Sequence, residues 1–259
     1  MNRKLKRLFK RSSWIQFVEL TRAQFAVKDH NSMLGLFWSF LGPLSMLVVM
    51  YFIFSARFGR DVYAYPLYLL SGIVIVSFFI TTTTIIMQSI TLSIPLIINT
   101  TLPREVLLVS SLNILAYKFL IELAFCAVIS LCYNIFPFET ALLLPPLIIA
   151  FLGLVLGVGV TLSMLYCIAR DIEHIWAMLS QLLFFVTPLF YQLNAISPVA
   201  RKIIFFANPL TPFVISMRGL LMGGLDYTVY AYSIFLGIAF FAFGCWAFYL
   251  LEEIAVERA

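Results

Sequence analysis

The 259-residue chain is 63% hydrophobic and 11% charged, with a formal net charge of +5. A water-soluble domain runs at about half apolar and about a quarter charged, so composition excludes an ordinary soluble enzyme. The apolar runs are continuous, not alternating, which excludes a β-barrel and leaves an all-α, polytopic membrane protein.

In chain order, the basic leader "MNRKLKRLFKRSSW" lacks a following short apolar core and cleavage site, so it is expected to be a retained cytosolic tail. Over residues 13–29, Trp14, Phe17, Val18, Thr21 and Phe25 share one helical face, with Gln16 and Glu19 opposite. That pattern predicts an amphipathic helix lying along the inner leaflet, serving either as an anchor or in substrate admission. Six spans follow, near 34–56, 66–90, 107–134, 141–167, 174–193 and 230–251. Their joints hold Gly59–Arg60–Asp61, Pro95 to Pro103, Pro137 and Arg170–Asp171. Between spans five and six lies a long linker with Pro198, Pro209, Pro212 and Gly223–Gly224. Pro188 is expected to break span five near its outer end. The linker's apolar "IIFFANPLTPFVI" would sit badly in water, which predicts short helices folding back into the membrane as an outer gate.

Six spans place both termini on one side. That side collects Arg3, Lys4, Lys6, Arg7, Lys10, Arg11, Arg22, Lys28, Arg104, Arg170 and Arg258. The other collects Arg57, Arg60, Arg201, Lys202 and Arg218, with Lys118 left inside span three. The imbalance predicts cytoplasmic termini, and hence a cytoplasmic loop at "NTTLPREVLLVSS". Lys118 and Glu122, four residues apart, are either a structural pair or an interfacial feature.

Chemistry-bearing motifs are missing. There is no nucleotide-cradling glycine loop, no H-E-x-x-H and no G-x-S-x-G. His30 and His174 have no second ligand nearby, and Cys126, Cys132, Cys167 and Cys245 fall in apolar spans without metal spacing. Catalytic residues and a metal site are therefore expected to be absent. The chain reads as a transporter body whose engine is a partner.

Five stretches carry a family resemblance. "VKDHNSMLGLFWSFLGPL" (27–44), "YAYPLYLLSGIVIVSFF" (63–79), "LPREVLLVSS" (102–111), "ARDIEHIWAMLSQLLFFVTPLFY" (169–191) and "NPLTPFVISMRGLLMGG" (208–224) occur in the order and spacing of an ABC-2 type exporter's transmembrane subunit. The resemblance is to the branch that exports O-antigen, teichoic acid and capsule polysaccharides, and it covers nearly the whole chain. It implies residues 1–32 as basic tail and interface helix, and 33–259 as a six-helix ABC-2 transmembrane domain. It further implies a homodimer with two copies of a separate ABC-type ATPase, which holds the ATP and Mg, in a bacterial inner membrane. The first cytoplasmic loop would hold a coupling helix at about Leu92–Thr101. ATPase-coupling residues are then expected at Ile94, Pro95, Ile98, Asn99, Leu102, Pro103, Arg104, Glu105, Arg170 and Asp171. Arg22 and Lys28 would meet a lipid phosphate headgroup.

Aromatics at span ends, Tyr51, Phe54, Phe78, Phe79, Phe184, Phe185, Phe190 and Tyr191, suit either an interfacial belt or a translocation path on which sugar faces stack. The expected function is export of lipid-linked, O-antigen-like polysaccharide, with no nucleic acid involved. Teichoic acid or capsule export, export of a lipid or small amphiphile, a membrane-embedded transferase and an ion-coupled carrier stand beside it as alternatives.

Overall fold

The computed structural model describes residues 37–59, 62–92 and 104–258. The expected tail, interface helix and coupling segment 93–103 lie outside them. Among the described residues there is no strand. The α-helices are α1 (Phe37–Phe58), α2 (Tyr65–Leu92), α3 (Arg104–Cys132), α4 (Leu144–Ile168), α5 (Ile172–Val186), α6 (Pro198–Ala207), α7 (Leu210–Met222) and α8 (Tyr227–Arg258), with 3-10 turns at Phe138–Leu143 and Leu193–Ala195.

Helix α2 is the axis of the chain. It is apolar on every face, the pattern of a helix with no solvent side, and it packs against α1, α3, α4, α5 and α7. Leu67, Leu69, Ile73, Val76, Ile86 and Met87 on it are fully enclosed. Several of its hydroxyls turn back onto its own carbonyls, although the buried Thr82 Oγ1 does not: Thr83 Oγ1 donates to Phe79 O, Thr84 Oγ1 to Ile80 O and Ser89 Oγ to Ile86 O. Such bonds let small polar residues occupy an apolar interior without an unpaired group.

Among the described residues five helices are long and apolar enough to cross a bilayer: α1, α2, α3, α8, and α4 with the 3-10 turn before it. Where one span was expected over 174–193, α5 has only 15 residues and stops at Val186. The cause is Pro188, which has no N–H to continue the ladder. The chain nevertheless traverses the bundle there. Glu173 at the start of α5 bonds Gln88 near the end of α2, and Phe190, beyond the break, bonds Tyr65 at the start of α2. Residues 65 to 88 of a helix rise about 34 Å, enough for a hydrocarbon core of about 30 Å. Helices α6 and α7 are the short helices expected in the linker, and they form a pair bent by 97°. Ser197 caps α6 by accepting from Ala200 N, and Pro198 takes its first turn. After α7, Gly223 and Gly224 adopt φ of +86° and +78°, a left-handed turn open to glycine. Asp226 then caps α8 by accepting from Thr228 N.

The closest helix pair is α4 against α8. A Cβ on Gly157 would fall 2.0 Å from Phe240 O, one on Gly237 would fall 2.2 Å from Ala150 O, and one on Gly244 would meet Gly157 Cα at 2.5 Å. Small residues here let two backbones touch, the packing mode that substitutes for a hydrophobic drive inside a membrane. Gly157→Ala is expected to destabilise the chain by about 1–3 kcal/mol through overpacking. Thermal unfolding in mild detergent should show the drop, while Gly42→Ala, with nothing within 4 Å, should leave the midpoint level or slightly raised.

Candidate functional site

At the end of the bundle where α2 begins, the chain has a local problem. Beyond the break in α5, residues 188–191 follow a bent, non-helical course, buried from 188 to 190, so their carbonyls have no helical partner. Four consecutive carbonyls are satisfied from elsewhere. Arg218 on α7 donates Nη1–H to Pro188 O at 2.8 Å and Nη2–H to Leu189 O at 2.9 Å. Tyr65 Oη donates to Phe190 O and Tyr68 Oη to Tyr191 O, both at 2.9 Å. Arg218 Nε–H also reaches Tyr68 O at 3.1 Å, and its guanidinium carbon lies 3.4 Å from the centroid of the Tyr68 ring. Stacking on an aromatic face and forking to several oxygens are properties of arginine that lysine lacks.

Room for this group comes from Gly72, where a Cβ would stand 2.8 Å from Arg218 Nη2. Arg218 is only 7% exposed. Asn208 completes the joint. Its Nδ2–H donates to Thr187 Oγ1 at 2.7 Å, and its Oδ1 accepts from Leu210 N, capping α7.

The expected path aromatics fall into two groups. Phe54 stacks on Phe190 with centroids 4.8 Å apart, and Phe190 also contacts Phe184 and Tyr191. Phe185 meets Phe184 edge-on, and Tyr51 contacts Tyr65, which stacks on Tyr68. Tyr51, Phe54, Phe184, Phe185, Phe190 and Tyr191 thus form one cluster at the ends of α1 and α5, with Tyr51 and Phe185 exposed. Phe78 and Phe79 turn inward instead. Phe78 stacks on Phe119 at 4.3 Å, and Phe79 packs on Trp176.

The opposite end of the bundle holds a second network. Gln88 Nε2 donates to Glu173 Oε1 at 2.7 Å, Tyr166 Oη to Glu173 Oε2 at 3.1 Å, and Trp176 Nε1 to Thr84 Oγ1 at 3.2 Å. These bonds clamp the α4–α5 joint to the last turns of α2, immediately before residue 93. Arg170 and Asp171 stand exposed at the tip of the same joint. Among the other residues expected to couple, Ile94, Pro95, Ile98, Asn99, Leu102 and Pro103 lie outside the described residues, as do Arg22 and Lys28. Arg104 and Glu105 open α3.

Two residues at the centre of these networks carry no functional weight in the sequence reading. Arg218 counts there only toward orientation, and Glu173 is not singled out at all. A signal existed for the first: "FVISMRGLLM" holds a cation with no acid within one or two helical turns, which in a membrane protein calls for a buried partner. Glu173 has the fainter signal of an amide, Gln88, alone in an apolar span.

A sequence profile of the ABC-2 type transporter family matches residues 15–222. Two O-antigen export system permease proteins, RfbA, from Klebsiella pneumoniae are similar to this chain. One is 29% identical over 85% of this chain and 86% of its own length, the other 26% identical over 80% of each. An O-antigen export system permease protein RfbA from Myxococcus xanthus is 24% identical over 78% of each.

Replacing Arg218 by Met should strand the carbonyls of Pro188 and Leu189 and destabilise the chain by about 3–5 kcal/mol. Arg218→Lys should rescue little of this, because one ammonium cannot fork to Pro188, Leu189 and Tyr68 together. Tyr68→Phe removes a single bond and should cost about 1 kcal/mol. Unfolding midpoints of the three variants in one detergent give the ranking.

Proposed function

The chain belongs to the ABC-2 type transporter family, and from that premise we propose that it is the membrane-spanning subunit of an ATP-driven exporter of lipid-linked, O-antigen-like polysaccharide. The observation that carries the substrate is kinship along almost the whole length. Relatives at 24–29% identity, each aligned over 78% or more of this chain, are named O-antigen export permeases. The family's membrane domain has no ATPase domain of its own, so ATP and Mg belong to a partner, in two copies against a homodimer of this chain.

In this reading both termini face the cytoplasm of a bacterial inner membrane, as the basic residues direct. The end with residues 93–103 and Arg170–Asp171 then faces the ATPase, and the bent pair α6–α7 faces outward. Residues 94–105 form the coupling element, and Arg170 and Asp171 are a second contact. The Glu173 clamp supports this assignment, because a push on either loop reaches α2 and α5 together through short polar bonds. Helix α5 carries the motion to Phe184, Phe185, Phe190 and Tyr191 at its far end. There, with Tyr51 and Phe54, these rings offer flat apolar faces along which sugar rings slide while hydroxyls exchange partners. Phe78 and Phe79, packed on Phe119 and Trp176, belong to the core and not to that wall. Arg22 and Lys28 receive the lipid phosphate at the cytoplasmic surface.

The test is the complex purified from native membranes and reconstituted. A long lipid-linked glycan should raise its ATPase rate severalfold, and a small amphiphile should not. The reverse order would assign the chain to lipid or drug export, and transport without any ATPase would assign it to an ion-coupled carrier. Glu173→Ala should leave the complex assembled yet lower the glycan moved per ATP hydrolysed by about tenfold, a coupling loss of the usual size for such links. Parallel glycan and phosphate assays give that ratio.

A further inference from the structure

On the exporter reading, we propose that the cleft between the bent helix pair and the start of α2 is a phosphate-binding site on the outward face, taking the diphosphate headgroup of the exported glycolipid or free phosphate. The cleft has a volume of about 810 Å³, within the range of about 300–1,000 Å³ that suits small-molecule sites.

Three cations line it: Arg218 in the interior, with Arg201 and Lys202 on α6. None forms an ion pair with a described residue. Arg218 uses three of its five N–H groups on carbonyls, which leaves two and fixes the plane of the fork. Arg201 is held likewise, by Nε–H to Leu193 O at 3.1 Å, and Lys202 is exposed.

Among the described residues the one acid lining the cleft is Asp226. Its Oδ1 is occupied by Thr228 Oγ1 at 2.6 Å, Thr228 N at 2.8 Å and Val229 N at 3.4 Å. Those bonds hold the carboxyl below its usual range, so it is ionised and engaged by its own helix. The cleft is left with an excess of positive charge on preorganised donors, the arrangement that recognises a phosphate. Tyr63 and Phe205 on the walls supply faces for the first sugar beyond the headgroup. The placement fits a step after passage, when a diphosphate arriving at the outer leaflet must be held while the glycan clears the path.

The test uses the complete complex in phosphatidylcholine nanodiscs, read by hydrogen–deuterium exchange over residues 193–206 and 219–229. A polyprenyl diphosphate in the bilayer and inorganic pyrophosphate in the buffer are the two probes. Slowed exchange in both windows, with half-saturation about tenfold higher in Lys202→Glu and restored in Lys202→Arg, supports the site. Protection by the lipid alone assigns the headgroup as ligand, and protection by both assigns phosphate itself. Unchanged exchange with either probe, or equal protection in Lys202→Glu, overturns the proposal. Lys202 is exposed, so these variants do not disturb packing. The export assay is independent of this measurement: a complex that exports glycan without protection loses only the site, and one protected without exporting loses only the substrate reading.

Discussion

The arrangement where α2 begins depends on one constraint: backbone inside an apolar medium must find hydrogen-bond partners. Once Pro188 ends α5, four carbonyls in succession face a protein interior without water. An unpaired carbonyl there costs about 1–3 kcal/mol, so the break persists because three side chains from two other helices supply donors. Arg218 supplies two of the four. A buried charge with no carboxylate is ordinarily a liability. Carbonyl dipoles and the face of Tyr68 replace the missing counterion. The same bonds fasten α7, the tail of α5 and the start of α2 into one joint, so the bent pair holds its place by polar contact as well as by its apolar surface.

That joint and the Glu173 clamp are mirror images in purpose. Each ties α5 to α2, at opposite ends, through groups in hydrogen-bond contact. Between them the contact is apolar, including Phe79 against Trp176. A helix pinned at both ends and greased in the middle transmits displacement along its length and resists separation. This is the mechanical behaviour that a subunit driven from one face and working at the other requires, and it needs no chemistry on the chain itself.

Much of this was legible in the sequence. Apolar run length located the five spanning helices among the described residues, since nothing else hides a backbone from lipid, and placed a further span over 174–193, where α5 has only 15 residues. Proline and glycine marked the joints, and the apolar linker foretold short helices between α5 and α8. What stayed hidden were the partners. Arg218 in a list of charges looks like Arg57 or Arg201, because orientation counting treats all cations alike; only the fold shows that α7 carries it inward. Phe78 and Phe79 read the same as Phe184 and Phe185, because periodicity carries no information in a helix apolar on all sides. The end of α5 was legible only in part: Pro188 marked the break, but hydropathy does not fall at Thr187, so the run of apolar residues outlasts the helix.

The glycine seam between α4 and α8 settles which parts of the molecule are free to deform. Where main chain rests on main chain, no rotamer can give way, and sliding by even an ångström drives atoms into overlap. Those two helices therefore travel as a single strut. Helix α1 lies at the other extreme, leaning mainly on α2 through long, flexible side chains such as Met46, Leu47 and Met50. Any change of shape during a working cycle is thus channelled to the α1 side of the chain. The rigid pair serves as the fixed frame against which that movement is measured.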